Sequence, residues 1–155
     1  MIFVQILLQF LHVFTAIFWF GSVLFVDFIL IPTVQRFDAP TRGIVMGPLG
    51  ARIERTLTPL GMGVVTLGVL RGLSAGVFGN LGSPYGITFI ASLVLGIVII
   101  VYGLRFLRPL AQAIAKAPPG AEQDAMVARI KTLTIVELFM FLLIIVFMIA
   151  MRFGY

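Results

Sequence analysis

An all-α fold, a bundle of four transmembrane helices, is predicted by three observations. The 155-residue chain is 61% hydrophobic and only 11% charged, with a mean hydropathy of +1.16, well above that of a water-soluble domain. Four stretches approach or exceed the roughly 20 apolar residues that a helix needs to cross a hydrocarbon layer. Charge is segregated: the basic residues gather in two of the three connections, and the remaining connection has none. Together these make lipid the solvent for most of one domain, residues 1–155.

The first span covers about residues 2–34. It is too long for the apolar core of a cleavable signal and has no basic segment before it, so it reads as a retained helix. The second covers about 57–79, with Pro59 in a first helical turn, where its missing N–H is tolerated. After "GSPYG" the third runs over about 85–107 and ends before Pro109. The fourth is about 132–153, "TLTIVELFMFLLIIVFMIAMRF". In the last connection Pro118, Pro119 and Gly120 interrupt any helix, after which Met126, Val127 and Ile130 recur at helical spacing. That pattern suits either a short amphipathic surface helix or a solvated linker.

Arg36, Arg42, Arg52 and Arg55 lie in the first connection, and Arg105, Arg108, Lys116, Arg129 and Lys131 in or beside the third. By the positive-inside rule both connections face the cytoplasm and both termini lie outside, as in a bacterial inner-membrane protein. The net charge of +5 therefore reads as topology and contact with anionic lipid, not as a nucleic-acid surface. Without cysteine there is no disulfide, thiolate metal site or iron–sulfur cluster, and no inference about redox compartment.

Within the spans, polar residues are costly and informative. In the first, Gln5, Gln9, His12, Ala16, Trp19, Val23 and Asp27 succeed one another at intervals of three or four, forming one helical stripe directed at the other helices. Arg71 lies in the same half of the membrane as His12, on a helix with Gly61, Gly63, Gly68, Gly72 and Gly76. That glycine face allows close helix approach or leaves room for a flat ligand. An arginine at this depth requires an anion, either a carboxylate or a ligand propionate. Asp27 and Glu137 share the opposite half, where they form either ion pairs with Arg52, Arg55 or Arg129 or a proton relay.

His12, the single histidine, is open to three readings: a hydrogen-bonded core residue, a haem or metal ligand, or a proton carrier. Haem is favoured by Arg71, by Gly68 and Gly72, and by the aromatic side chains around the stripe. One histidine supplies one axial ligand. A second would come from Met148 or Met151, from another subunit, or not at all. Copper held by methionine thioethers is the competing metal reading.

The run Leu11-His12, six residues, Trp19-Phe20-Gly21 resembles the first helix of two families of small membrane proteins, the HemJ-type protoporphyrinogen oxidases and the CopD-like copper-resistance proteins. The resemblance covers about one span and the four-helix plan. For the HemJ-type proteins it implies haem b ligated through His12 and chemistry on a tetrapyrrole, whereas the likeness to CopD-like proteins concerns shape more than metal ligands. With the stripe and the glycine face, the expectation is a haem b protein of electron transfer or tetrapyrrole redox chemistry, with Trp19 near the porphyrin. The oxidases' membrane lysine has no counterpart, since Lys116 and Lys131 both lie in the third connection. Alternatives are a copper-handling transport protein and a non-catalytic small subunit or assembly factor of a respiratory or photosynthetic complex. A homo-oligomer or larger membrane assembly is the expected setting.

Overall fold

The computed structural model describes residues 2–118 and 120–155. Its elements are α1 (Ile2–Phe25), a π-helical turn (Val26–Leu30), α2 (Ile31–Val34), α3 (Ala39–Ser74), a 3-10 turn (Val77–Gly79), α4 (Pro84–Tyr102), a second π-helical turn (Gly103–Leu107), α5 (Arg108–Lys116) and α6 (Ala121–Arg152). Four continuous stretches, Ile2–Val34, Pro40–Ser74, Pro84–Ile114 and Ala121–Arg152, are long and apolar enough to cross a membrane. The fold is all-α, as expected, with no strand among the described residues.

The helices are longer than the hydrophobic segments that announce them. Residues 39–56, expected as a connection, belong to α3, and Pro59 is therefore inside a helix and not in its first turn. Two local signals start α3 early: the Asp38 side chain accepts a hydrogen bond from the Thr41 N–H, and Pro40 sits in the first turn with its φ already helical. Hydrogen bonding from Thr41 is also the main reason that the Asp38 carboxyl is held below its ordinary value. The helical periodicity of Met126, Val127 and Ile130 belongs to the opening turns of the long α6, so the polar segment does not form a separate helix. Of the expected break at residues 118–120, Pro119 lies outside the described residues, and Gly120 has φ +152°.

Both π-helical turns end two residues before a proline: Val26–Leu30 precedes Pro32, and Gly103–Leu107 precedes Pro109. A proline inside a helix lacks an N–H and crowds the carbonyl four residues back. Here the chain widens by one residue instead of breaking. The Ile31 N–H bonds the Val26 carbonyl and the Arg108 N–H bonds the Gly103 carbonyl, each spanning five residues. The third span thus continues through Pro109, where the sequence suggested an end.

Helix α1 packs on α3, α4 on α6, and α3 against α4. The core where they meet consists of Trp19, Val23, Val64, Ile99 and Phe141. The Trp19 and Phe141 rings meet edge to face at 4.8 Å, and Phe20 adds a tilted contact at 5.2 Å. Glycines on α3 receive these bulky groups. A Cβ at Gly61 would lie 2.8 Å from the Trp19 ring, and one at Gly72 only 2.5 Å from the Phe89 ring. Ile2, Phe3, Phe10, Phe14 and Ile17 on α1 are exposed, a surface suited to lipid.

At one end a second, polar anchor joins three elements. Gln123, buried on α6, accepts from Arg42 Nη1 at 3.1 Å and donates to the carbonyls of Ile114 and Ala117. Arg42 Nη2 donates to the carbonyls of Gln35 and Phe37. Arg42 is therefore a structural tie between chain segments 81 positions apart.

Candidate functional site

The stripe on α1 faces inward as its spacing requires. His12, Trp19 and Val23 are buried, and their burial follows from 3.6-residue periodicity placing them on the face that meets α3. Gln5 at the end of the stripe donates to the Ser74 carbonyl at 2.7 Å, pinning the start of α1 to the end of α3.

Two cavities lie along this stripe, and Trp19, only 7% exposed, lines both. The first, about 470 Å³, is bordered by His12, Arg71, Tyr85, Met148, Met151 and Arg152 among others. The His12 Nδ1 lies 3.0 Å from the Val64 carbonyl oxygen. A carbonyl only accepts, so in the neutral ring Nδ1 carries the proton and Nε2 holds the lone pair. Nε2 has no hydrogen-bond partner among the described residues, and His12 lines the cavity. Gly68 makes room for the ring: a Cβ there would meet His12 Cε1 at 3.2 Å.

Of the two anions expected for Arg71, a carboxylate is not its partner among the described residues. Its Nε donates to Gln9 Oε1 at 2.6 Å and its Nη1 to the Tyr85 hydroxyl at 2.7 Å, both neutral acceptors. Tyr85 was not singled out from sequence. Ser83, whose hydroxyl accepts from the Gly86 N–H, starts α4 so that Tyr85 occupies its first turn beside the end of α3. The cavity lining contains two arginines, Arg71 and Arg152, and no carboxylate. Met148 and Met151, the candidate second ligands named from the sequence, lie on the same lining as His12. Gly68 borders this cavity, whereas Gly72 is covered by Phe89 and stays outside the lining.

The second cavity, about 390 Å³, has the opposite polarity. Asp27, Glu54 and Glu137 line it, with Arg108 and mostly apolar side chains. Glu54 pairs with Arg108 and accepts from Gln112 at 3.4 Å. Asp27 and Glu137 do line one cavity together, as their depths suggested, but neither pairs with Arg52, Arg55 or Arg129 among the described residues. Those three arginines are exposed; of the two alternatives, ion pair or proton relay, the ion pairs do not form among the described residues. No group of three His, Cys, Asp or Glu side chains suited to a metal ion occurs among the described residues. No family model, curated protein or solved structure matches the chain.

Proposed function

We propose that this chain is a membrane haem b protein serving electron transfer or tetrapyrrole redox chemistry, with His12 as the axial ligand in the larger cavity. The observation that carries the reading is the His12–Val64 hydrogen bond. A metal-binding imidazole characteristically donates its other N–H to a carbonyl or carboxylate, which fixes tautomer and ring orientation. Here that bond leaves Nε2 as the available donor atom.

The surrounding residues suit the group. Arg71 and Arg152 have no carboxylate on the cavity lining and would hold propionates. Trp19 and Phe89 supply flat apolar surface, and Met148 or Met151 would offer a thioether to the iron. A bound haem would supply a one-electron iron centre. The protein's own residues orient the imidazole, neutralise the carboxylates and exclude water from the apolar side of the cavity. The positive-inside pattern places this cavity nearer the outer face, with both termini outside.

The test is the absorption spectrum of protein purified after expression with ample haem. A Soret band that disappears in His12→Ala, while the variant still inserts and remains helical, supports the assignment. Colourless protein that takes up no haem on titration rejects it. Copper is the second reading, favoured specifically by Met148 and Met151 sharing a lining with His12. Thioether and imidazole donors suit Cu(I). Stoichiometric Cu(I) uptake under reducing conditions by protein that takes up no haem selects copper.

A further inference from the structure

The smaller cavity is not used by either metal reading. Glu137 is 8% exposed and therefore more than nine-tenths buried, yet its carboxyl has no hydrogen-bond or ion-pair partner among the described residues. It lines the same cavity as the π-helical turn that carries Asp27, whose carboxyl is also unpartnered among them. Gly103, on the second π-helical turn, removes the side chain that would stand before Glu137: a Cβ there would lie 3.7 Å from Glu137 Oε1. The proline-linked widening of two separate helices thus occurs on the lining of one cavity. Such local π turns often accompany sites where a ligand is held.

When ionised, two buried carboxyls without partners leave the cavity short of positive charge, and a bound cation favours that form over the protonated one. Among the described residues the one basic side chain on its lining, Arg108, is engaged by Glu54, and the two side chains are 47% and 31% exposed. No group of three His, Cys, Asp or Glu side chains suited to a metal ion occurs among the described residues, and two carboxylates in a largely apolar lining do not supply the roughly six or more oxygens of a calcium site. The rest of the lining includes Trp19, Val23, Ile99, Ile100 and Leu104, which favour a charge carried on an apolar body. An aromatic face such as that of Trp19 attracts organic cations.

We propose that this cavity is a binding site for an apolar organic cation, its charge held between Asp27 and Glu137 and its hydrocarbon body against Trp19. This inference does not require a metal at His12, although Trp19 lines both cavities. The cavity's volume of about 390 Å³ falls within the usual range for small-molecule sites.

Tetraphenylphosphonium tests the site, with tetraphenylborate as a probe of similar shape and opposite charge. Isothermal titration of the purified full-length chain in mild detergent should show saturable 1:1 binding of the cation and none of the anion. Fluorescence of Trp19, the sole tryptophan, should change over the same concentrations. Asp27→Asn combined with Glu137→Gln should weaken binding at least about tenfold, a loss equivalent to roughly 1.4 kcal/mol. Gly50→Phe gives a second test that leaves both carboxyls in place, since Gly50 lines the cavity and a Cβ there meets nothing within 4 Å. It should abolish binding by filling the space, and it decides the matter if the double variant does not fold. Failure of wild type to bind the cation, equal binding of tetraphenylborate, or unchanged affinity in whichever of these variants folds overturns the proposal.

Discussion

The His12 imidazole donates from Nδ1 to the Val64 carbonyl at 3.0 Å, and the same ring rests against the backbone of Gly68 one turn further along α3. The glycine therefore fixes how near the ring can sit. A methyl group in Gly68→Ala would meet Cε1 at 3.2 Å, so the imidazole must give by a few tenths of an ångström. Under the haem reading, Gly68→Ala should retain haem with a shifted Soret maximum and an affinity reduced several-fold. Helicity by circular dichroism should match wild type. An unchanged spectrum and affinity would mean that the ring position does not govern ligation.

Gly61 meets the Trp19 ring even more closely, since a Cβ there would lie 2.8 Å from Cζ2 and 3.0 Å from Cε2. Trp19 is held on another side by Phe141, so the indole has little freedom to withdraw. Gly61→Ala is expected to destabilise the bundle by about 1–3 kcal/mol through overpacking. Thermal unfolding measures the loss, and a changed Trp19 emission locates it. A midpoint equal to wild type would show that the core can yield there.

The neutral partners of Arg71 make a graded prediction. Tyr85→Phe removes one charged-group hydrogen bond and should cost about 1–3 kcal/mol of stability, leaving the Gln9 contact intact. Arg71→Leu removes the charge as well, and under the haem reading it should weaken haem retention far more than Tyr85→Phe does. Haem titration of both variants checks the order. Equal retention in wild type and Arg71→Leu would assign Arg71 to tying α1, α3 and α4 together.

The parts of this protein legible in its sequence are those governed by a single helix's periodicity. His12, Trp19 and Val23 share a buried face because 3.6 residues make a turn, and that needs no knowledge of the neighbours. Residues 39–56 were misleading because arginine, glycine and proline there lower hydropathy, yet none prevents helix once Asp38 has capped it. The π-helical turns are silent for a different reason. Pro32 and Pro109 announce a disturbance, but whether the chain breaks or widens depends on packing. Cavity walls and the Arg42–Gln123 tie join distant segments, so no local pattern encodes them.

That tie is testable. Gln123→Ala would leave Arg42 without its side-chain acceptor and the carbonyls of Ile114 and Ala117 without their donor. Because Gln123 is buried, the loss should reach about 1–3 kcal/mol, read as a lower unfolding midpoint. Gln123→Glu, which retains an acceptor for Arg42, should recover part of it. An identical midpoint in Gln123→Ala would show that water replaces these bonds.

The cap of α3 gives a pH-dependent outcome whose direction follows from Asp38. Hydrogen bonding from Thr41 holds the carboxyl below its ordinary value, with Arg42 contributing in the same direction. A carboxyl depressed on folding contributes stability above its unfolded pKa, near 3.9, and loses it as pH falls through the lower folded value. Wild type should therefore lose part of its stability in strongly acidic buffer, below about pH 4, through this group. Asp38→Asn keeps a capping oxygen but cannot titrate, so it should start close to wild type at neutral pH and lose less on acidification. Asp38→Ala should be less stable than Asp38→Asn at every pH because the Thr41 N–H loses its partner. Unfolding midpoints of the three proteins between pH 3 and pH 7 decide the matter: parallel curves for wild type and Asp38→Asn would show that this carboxyl contributes nothing to acid sensitivity.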